Sequence, residues 1–519
     1  MTLINKICLS YLSPMLKRVE KSRREPMLFQ SNCFENLLRN GTGTRFGADH
    51  HFSSILTIRD FQKKVPVRDY NAFQPYIHRL RSGEHYVLWN QKVKWFAKSS
   101  GTSSDKSKYI PITPDNLREC HLGGFKRLVG SYLQRHPQSR LLSGKALTLG
   151  GSVQLDDMNN HGTFSGDLSA ILLKNSPRVA EWVRTPSRET ALIAHFQEKI
   201  EKICRLCSKQ NVTNFAGVPS WNLVLINRLL EYNRVRHLTD IWPNLELFMH
   251  GGINFEPYRA QYREIIPGDT MNYVESYNAS EGYFAFQDDE QESSMLLTLD
   301  NGVFYEFIPM DKYHDALIQQ PVELDTIESV SVNKPYAVVI STNSGLWRYL
   351  IGDCVEFTSL YPHKIKITGR TQLYLNAFGE ELMISNVENA LAKASLECNV
   401  SVIEYTVAPV YMERGQKGAH QWLIEFRQPP GDMDAFTDAL DKALCSLNSD
   451  YEAKRTNNTT ILRPHVVSLP EGTFLRWMKK QHKVGGQNKI PRLFNDRHFV
   501  EELLAIREEA STYLFNTEE

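Results

Sequence analysis

Two short apolar stretches, each ending in a pair of glycines, constrain the fold of this chain most. Ala146–Leu149 runs into Gly150-Gly151, and Leu245–Met249 runs into Gly251-Gly252. Between them, residues 221–232 carry apolar side chains at helical spacing. Strands that end in loops and are separated by helices are typical of an α/β domain. We therefore expect the first two-thirds of the chain to interleave strands with helices.

Further strands are predicted downstream of these stretches. Asp300-Asn301-Gly302 interrupts the apolar segment Leu296–Phe307. Asn-Gly suits the positive φ angles of a tight turn, so this segment predicts a β-hairpin. Three more stretches predict strands: Tyr336–Ser341, Trp347–Phe357 and Lys364–Thr368.

The sequence pattern changes after Gly369-Arg370. Beyond it we predict strands and helices at Val402–Val407, Gln421–Phe426, Met433–Leu447, His465–Leu469 and Phe474–Gln481. These elements make a small α+β unit of about one domain. A chain of 519 residues is also too long for one compact core. We therefore predict a large α/β domain over residues 1–370 and a smaller C-terminal α+β domain over residues 371–519.

Charge and cysteine content limit the class of protein. Lys plus Arg number 60 and Asp plus Glu 59, so the overall positive charge typical of nucleic-acid-binding proteins is missing. Of the 8 cysteines, only Cys204 and Cys207 lie close together, and no second pair or nearby histidine completes a zinc site. We interpret both as thiols on a helix. Scattered cysteines indicate a reducing compartment, so we expect a cytoplasmic protein.

Residues 1–26 join a moderately apolar part to a basic part. The apolar part, Ile4–Leu16, precedes the basic residues, which is the reverse of the order in a secretory signal. We expect an amphipathic helix that packs on the body of the protein and is broken or kinked at Pro14. A helix lying on a membrane surface is the alternative. No apolar run has the length of a membrane span.

A loop of hydroxyl residues around one glycine is the strongest candidate for a ligand site. It consists of Ser99, Ser100, Gly101, Thr102 and Ser103, and Lys108 follows shortly after. Phosphate binding needs backbone N–H groups that approach closely, hydroxyl donors and a cation, and this stretch supplies all three. It is not a Walker A loop, because the second glycine and the Gly-Lys-Ser/Thr ending are absent. Taken alone, such a loop is more often a plain surface loop.

Three further segments carry groups suited to a nucleotide site. Glu281 follows Ser280 among small and aromatic residues, where its carboxylate could hold Mg²⁺ with nucleotide phosphates. Asp353 follows a glycine at a predicted strand, where a carboxylate can accept both ribose hydroxyls. Lys489 lies in a glycine-rich loop that could reach a distant site when the small domain closes. Taken alone, Glu281 is more often an exposed turn residue and Asp353 a turn aspartate, and the alternative for the Lys489 segment is a helix C-cap followed by a basic loop.

The order of these segments resembles that of the adenylate-forming superfamily, which includes acyl- and aryl-CoA ligases and luciferase. In detail they are similar to the auxin-responsive (Gretchen Hagen) family of acyl acid–amido synthetases. Ser99–Ser103 matches the first ATP motif of that family, Tyr277–Glu281 the second and Tyr349–Asp353 the third. The turn Val218–Trp221 and the segment Lys489–Arg492 also match. The likeness runs from about Gln30 to the end of the chain.

Two departures from the plant members bear on the substrate. Leu350 stands where the third motif has Arg, and Glu380-Glu381 occupy the place of a lysine that contacts the nucleotide. Residues 106–111 and 376–381 look closer to bacterial members. We therefore expect a bacterial-type enzyme, for which plant-hormone substrates are in doubt.

The resemblance implies a two-step reaction. The carboxylate of a small acid attacks the α-phosphate of ATP to give acyl-adenylate and pyrophosphate, and an amine, usually of an amino acid, then displaces AMP. ATP and Mg²⁺ are the implied cofactors. A thiol acceptor (CoA or a carrier protein) and a non-catalytic nucleotide-binding relative are the alternatives. The acid, the amine and the oligomeric state, a monomer included, do not follow from the sequence.

The resemblance also implies an architecture and a set of roles. The architecture is a large α/β domain with a mobile α+β lid. Glu281, holding Mg²⁺, and Lys489 would be catalytic, and Asp353 with Arg370 would bind the ribose. The other expected nucleotide-binding residues are Ser99, Ser100, Gly101, Thr102, Ser103, Lys108, Gly251, Gly252, Asn254, Tyr277 and Ser280. The acid pocket is expected along residues 117–128, 150–153 and 218–223, with these substrate-binding candidates: His121, Arg127, Ser152 and Trp221.

Overall fold

The structure is a computed structural model of the 519-residue chain. It describes residues 2–100, 107–151, 153–155, 162–193, 195–371, 374–413, 416–458, 460–480, 490 and 492–515.

Five helices open the chain. They are α1 (Leu3–Arg24), α2 (Pro26–Gly41), α3 (Arg45–Asp49), α4 (Ile58–Lys64) and α5 (Tyr70–Arg81). Local signals set their ends: Thr2 caps α1 by accepting from the Asn5 N–H, and Pro26 lies at the first position of α2, where its missing N–H costs nothing.

Helix α1 packs on the body of the protein, as predicted, but it is not broken at Pro14. Its inward face includes Leu12, Leu16 and Val19, and it contacts the helix at residues 122–135. Pro14 lies inside one continuous helix. The carbonyl that loses its partner belongs to Ser10, and both residues are exposed, so water can replace the missing hydrogen bond.

The first 370 residues contain sixteen strands, of which twelve form one sheet in the described part of the chain. The strands are β1 (Trp95–Ser100), β2 (Ser107–Ile112), β3 (Lys145–Thr148), β4 (Val153–Leu155), β5 (Phe164–Gly166), β6 (Arg184–Thr185), β7 (Val212–Gly217), β8 (Leu247–His250), β9 (Asn272–Ala279), β10 (Gly282–Phe286), β11 (Met295–Leu297), β12 (Val303–Pro309), β13 (Asp325–Thr326), β14 (Pro335–Thr342), β15 (Tyr349–Leu360) and β16 (His363–Arg370). The helices among them are α6 (Leu122–Arg135), α7 (Leu168–Asn175), α8 (Ala180–Val183), α9 (Arg188–Ala191), α10 (Phe196–Cys207), α11 (Pro219–Asn233), α12 (Glu256–Ile265) and α13 (Tyr313–Ile318).

The large sheet changes from parallel to antiparallel along its width. Its order is β13-β12-β14-β15-β16-β11-β10-β9-β8-β7-β3-β6. Neighbouring strands from β6 to β9 pair in parallel, so the loops after β3, β7, β8 and β9 leave the same edge. Helices α10, α11 and α12 bury apolar residues against this part, as parallel strands require. The predicted strands at 146–149 and 245–249 and the helix at 221–232 are confirmed.

A second, four-stranded sheet has the order β2-β1-β5-β4. Strands β1 and β2 pair antiparallel, with Ser99 opposite Lys108 and Ser100 opposite Ser107. Strands β1 and β2 thus form a β-hairpin, and residues 101–106, which hold most of the predicted hydroxyl loop, lie outside the described part of the chain.

The predicted hairpin over Leu296–Phe307 is wrong. A turn is present, and Gly302 has φ +79°, but the two strands do not pair with each other. Strand β11 pairs with β10 and β16, whereas β12 pairs with β13 and β14. Asn301 is absent from the positive-φ residues of the described chain, so the Asn-Gly turn typical of a two-residue hairpin does not form.

The C-terminal part has its own sheets and cores. Its elements are β17 (Tyr374–Leu375), β18 (Leu382–Met383), α14 (Ile384–Glu397), β19 (Val402–Val410), β20 (Ala419–Phe426), α15 (Met433–Leu447), α16 (Ser449–Arg455), β21 (His465–Leu469), α17 (Thr473–Lys480) and α18 (His498–Phe515). Strands β19, β20 and β21 form one sheet, and nearly all residues of the two associated cores follow residue 374. This separation supports a division near Arg370, which stays a prediction.

Cys204 and Cys207 lie on α10, as predicted, and both are buried. Burial raises the pKa of the Cys204 thiol to about 12 and that of Cys207 to about 11, so both stay protonated. Among the described residues, no group of three or more His, Cys, Asp or Glu side chains is arranged to hold a metal ion. Within the same ranges, no helix has the length and apolarity needed to span a bilayer.

Candidate active site

The second and third sequence motifs meet around the carboxylate of Asp353. Asp353 on β15 lies opposite Arg370 on β16, whose Nε is 2.8 Å from Asp353 Oδ1. The hydroxyl of Tyr277, from the end of β9, donates to Asp353 Oδ2 at 2.6 Å. Burial raises the pKa of Tyr277, so it stays a phenol that can donate. Both carboxylate oxygens are therefore held in place before any ligand binds.

Glu281 lies beside this group, in the turn between β9 and β10. Ala279 pairs with Gly282, which leaves Ser280-Glu281 as a two-residue turn. The Tyr349 hydroxyl donates to Glu281 Oε1 at 3.3 Å. Burial raises the pKa of Glu281, and the charge of Lys108 acts in the opposite direction. The carboxylate is thus desolvated and only partly compensated, which favours binding of a further cation.

Lys108 supplies a buried positive charge at the same place. It lies on β2, 7% exposed, and its ammonium is 6.0 Å from the centre of the Tyr70 ring. Burial lowers its pKa, while the charges of Glu281 and Asp353 raise it. The β1–β2 hairpin thus brings Lys108, which follows the first motif, near Glu281 of the second motif and Asp353 of the third. Ser99 and Ser100 end β1, whereas Gly101, Thr102 and Ser103 lie outside the described residues.

The backbone geometry after β8 requires glycine at both positions of the Gly251-Gly252 pair. A Cβ on Gly251 would lie 2.2 Å from the Ser276 carbonyl oxygen, and Gly252 has φ +83°. Only glycine fits both positions without strain. The side chain of Asn254 accepts from the Glu256 N–H at 3.0 Å and so stabilises the turn into α12. Asn376 donates to the Gly252 carbonyl at 3.2 Å, which links this loop to the C-terminal unit.

His121 is the acid-pocket candidate that the structure brings closest to these motifs. Its Nδ1 lies 3.3 Å from Asn278 Oδ1, next to Tyr277. Its Nε2 is buried and has no hydrogen-bond partner among the described residues. Burial lowers the pKa of His121 to about 4, so the ring is neutral at physiological pH. A π-helical turn, Asn116–His121, leads into α6, and such turns are frequent at functional sites.

Arg127, the second acid-pocket candidate on this segment, forms a buried ion pair. Its Nη2 is 3.0 Å from Asp300 Oδ1, and both side chains are almost fully buried. It also donates to the carbonyl oxygens of Glu119 and Asp300, at 3.1 and 3.2 Å. These contacts join α6 to the β11–β12 connection, while the buried Nε of Arg127 has no hydrogen-bond partner among the described residues.

Trp221 faces the C-terminal unit. It lies in the first turn of α11, and the Lys454 ammonium is 5.6 Å from its ring centre. This contact was not predicted. The remaining two candidates, Ser152 and Lys489, fall outside the described residues.

The two departures from the plant pattern have structural explanations. Leu350 packs on an apolar cluster that includes Val67 and Ile308. Neighbouring side chains on a strand point to opposite faces, so Tyr349 reaches Glu281 while Leu350 packs away from it. Glu380 is fully buried and accepts from the backbone N–H groups of residues 377 and 378 at 3.1 and 2.6 Å.

Two residues of the site were missed by sequence reasoning. Tyr349 lies within the third motif, but only its aspartate was given a chemical role. Glu381 Oε1 lies 3.6 Å from Arg370 Nη2, so the position of the plant lysine holds a carboxylate that adds to the Asp353–Arg370 group. No local signal distinguishes Glu381 from an ordinary turn residue.

A cavity of about 560 Å³ lies between α1 and α6, away from these residues. The two arginines that line it are already paired with acidic residues: Arg23 with Asp288 and Arg135 with Glu290, each at 2.5 Å. The better candidate for a reactive site is the cluster of desolvated and partly compensated charged residues around Asp353, namely Lys108, Glu281, Asp353 and Arg370.

Comparison with known families gives matches along most of the chain. The GH3 family N-terminal domain matches residues 15–157 and 152–271, the GH3 family central domain residues 296–370, and the GH3 family C-terminal domain residues 385–498.

Similar proteins include two curated plant enzymes. Indole-3-acetic acid-amido synthetase GH3.4 of Arabidopsis thaliana is 22% identical over 92% of this chain and 91% of its own length. Jasmonoyl–L-amino acid synthetase JAR4 of Nicotiana attenuata is 22% identical over 67% of this chain and 69% of its own.

Solved structures with the same fold include a GH3.15 acyl acid amido synthetase and a 2-hydroxyisobutyryl-CoA ligase. The first has a TM-score of 0.58 at 17% identity, covering 97% of this chain and 95% of its own. The second has a TM-score of 0.57 at 12% identity, covering 93% and 92%. The predicted α/β architecture of adenylate-forming enzymes is thus confirmed.

Proposed function

Because this chain belongs to the GH3 family, we propose that it is an ATP-dependent acyl acid–amido synthetase. It adenylates a small carboxylic acid, releasing pyrophosphate, and then transfers the acyl group to an amine, in particular an amino acid. The observation that carries the proposal is the meeting of Lys108, Tyr277, Glu281, Asp353 and Arg370 in one buried cluster.

Asp353 binds the ribose in this proposal. Arg370 and Tyr277 fix its two oxygens, and each oxygen keeps a lone pair for a ribose hydroxyl. The sugar then positions the α-phosphate without movement of the protein at the moment of reaction.

Lys108 and the hydroxyl loop stabilise charge on the phosphates. When the acid attacks the α-phosphate, negative charge builds on the phosphoryl oxygens, and fixed cations and N–H groups in a desolvated site lower that barrier. Lys108 is already buried and held beside Glu281.

Glu281 fits a Mg²⁺ ion. Mg²⁺ is usually held by one or two carboxylates with water and substrate phosphates, which agrees with a single desolvated carboxylate here. When bound, Mg²⁺ would neutralise phosphate charge. The protein supplies the Tyr349 hydroxyl that orients this carboxylate.

His121 recognises the acid. If its Nδ1–H donates to Asn278, the buried Nε2 is an acceptor. It then pairs with an N–H or O–H group of the acid, so acids carrying such a group next to the carboxylate are favoured.

We extend the proposal to the whole chain on the same basis. Residues 371–519 act as the lid, ATP and Mg²⁺ are the cofactors, and the enzyme is cytoplasmic and of the bacterial-type branch. The separate C-terminal cores and the protonated buried thiols support this reading.

Asp353→Ala tests the proposal. We expect pyrophosphate release to fall at least about 100-fold, since charge-positioning groups of this kind contribute that much, while the far-UV circular dichroism stays unchanged. Asp311→Ala is the matched control, because Asp311 forms only a surface contact of 3.6 Å with Lys334.

The wild type and both variants are assayed with every pair from a panel of carboxylic acids and amino acids, and release of pyrophosphate and AMP is measured for each pair. Unaltered ATP turnover by Asp353→Ala would refute the ribose assignment. AMP release that depends on thiols and not on amines would replace the amido synthetase with a thioester-forming ligase.

A further inference from the structure

Lys454 is a buried ammonium with little compensating charge. It lies on α16 of the C-terminal unit and is 6% exposed. In the part of the chain that the structure describes, the acidic atom within ion-pair distance is Asp450 Oδ1, 3.9 Å away and itself partly exposed. Burying an ammonium is costly unless a partner offsets the lost hydration. One weak partner leaves room for an anionic ligand.

The lysine side chain crosses the junction between the two units. Its ammonium is 5.6 Å from the ring centre of Trp221, which belongs to the large unit. A Cβ on Gly379 would lie 3.3 Å from Lys454 Cε and 3.8 Å from Trp221 Nε1. The aromatic ring and the glycine together leave a fitted space for the lysine and restrict its rotamers.

The helix that carries Lys454 is rigidly placed. Asn448 caps α16 by accepting from the Tyr451 N–H at 2.8 Å, and it donates to the Glu381 carbonyl at 3.1 Å. The Tyr451 hydroxyl donates to Asp441 on α15 at 2.7 Å. A cation held on such a support is preorganised for a ligand.

Helix α16 also contacts β1, the strand that ends in Ser99 and Ser100. Ser99 pairs with Lys108 on β2, and the charges that act on Lys108 include those of Asp353 and Arg370. Lys108 therefore lies at the ribose end of the site. Helix α16, which carries Lys454, contacts the same hairpin from the C-terminal unit.

We propose that Lys454 binds the terminal phosphates of ATP, the pair that leaves as pyrophosphate. The inference rests on the proposed function and adds a second cation to it, from the opposite unit. A triphosphate carries several charges along its length, and lysine ammonium groups are effective point charges for phosphate. Contact with Lys454 would thus couple binding of the triphosphate to the C-terminal unit.

Lys454→Met tests the inference in two separate half-reactions. In ATP–pyrophosphate exchange we expect the KM for ATP to rise about 10-fold or more, as for the loss of a charge-assisted contact. Aminolysis of chemically prepared acyl-adenylate should be unchanged, because that substrate has no terminal phosphates. Lys454→Arg keeps the charge and should recover part of the ATP affinity. Lys442→Met, an exposed lysine on α15, is the control.

A second variant keeps the test decisive if Lys454→Met does not fold. Asp450→Asn removes the negative charge beside Lys454 and should lower the KM for ATP by about 2- to 3-fold at low ionic strength. Three results would each overturn this inference and leave the proposed function standing. They are a KM for ATP within 2-fold of wild type in Lys454→Met, a higher KM for ATP in Asp450→Asn, and a loss of aminolysis in Lys454→Met equal to its loss of ATP–pyrophosphate exchange. Absence of exchange by the wild-type enzyme with every acid would overturn the proposed function and this inference with it.

Discussion

Burial shifts the two charged groups at the centre of the site towards their neutral forms. It lowers the pKa of Lys108 and raises the pKa of Glu281, and each residue's charge partly restores the other. Two opposing effects therefore act on the pKa of each residue: desolvation favours the neutral form, and attraction between the two charges favours the charged form. The proposed mechanism uses the charged forms of both, so we expect the pH dependence of the reaction to depend on this balance.

Lys108→Met should move the acid limb of the pH profile to higher pH. The lysine charge lowers the pKa of Glu281, so its removal raises that pKa, and protonation then disables the carboxylate at a higher pH. Pyrophosphate release at subsaturating ATP, followed from about pH 5 to 9, measures the shift in kcat/KM.

Lys92→Met, which changes an exposed lysine, is the control for the loss of a positive charge. An acid limb that stays at the wild-type pH in Lys108→Met would show that the two groups do not interact across the site.

Most elements of the fold could be predicted from local patterns. Helix α15 and strand β21 have the predicted bounds, because apolar periodicity and caps are properties of the segment itself. Tyr277, Asp353 and Arg370 were also grouped correctly through the order of motifs.

The failures concern long-range partners. Gly302 does turn the chain, but the partners of β11 and β12 come from elsewhere in the sheet. Likewise, the ion-pair partner of Arg127 is Asp300, which is 173 residues away in the chain. A single sequence does not contain such pairings. Only the packed structure distinguishes an arginine in an ion pair from one that binds a ligand.

The segment that follows β17 depends on one buried carboxylate. Glu380 accepts two backbone N–H groups and lies 2.8 Å from His420 Nε2. We expect Glu380→Ala to destabilise the protein by about 3 kcal/mol, since two backbone N–H groups and the His420 ring lose a buried hydrogen-bond partner. Urea denaturation measures this loss.

Glu381→Ala is the matched comparison, because Glu381 is partly exposed and its contact with Arg370 is long. It should cost far less stability. Equal stability of the two variants would contradict the structural role of Glu380.

At the scale of the whole molecule, the proposed nucleotide-binding groups come from both the parallel and the antiparallel parts of the large sheet. Tyr277 comes from the last parallel strand, and Asp353 and Arg370 come from the antiparallel part. ATP should therefore tie these parts together and stabilise the native state as a unit.

We expect saturating Mg²⁺-ATP to raise the thermal midpoint of the wild type. A ligand at 100 times its Kd adds about 2.7 kcal/mol of stability. In Asp353→Ala the shift should be largely lost, and differential scanning fluorimetry with and without nucleotide measures both. A full shift in the variant would place ATP elsewhere.

The arrangement of strand ends has a consequence for how such an enzyme diversifies. The expected acid pocket draws on the segment that leads into α6 and on the segments after β3 and β7, whereas the proposed nucleotide groups Tyr277, Asp353 and Arg370 come from β9, β15 and β16. In this proposal, one set of chain segments selects the acid, and a separate set binds the nucleotide. If this division holds, we expect exchange of residues 117–128, 150–153 and 218–223 to change the preferred acid while the phosphate chemistry stays the same.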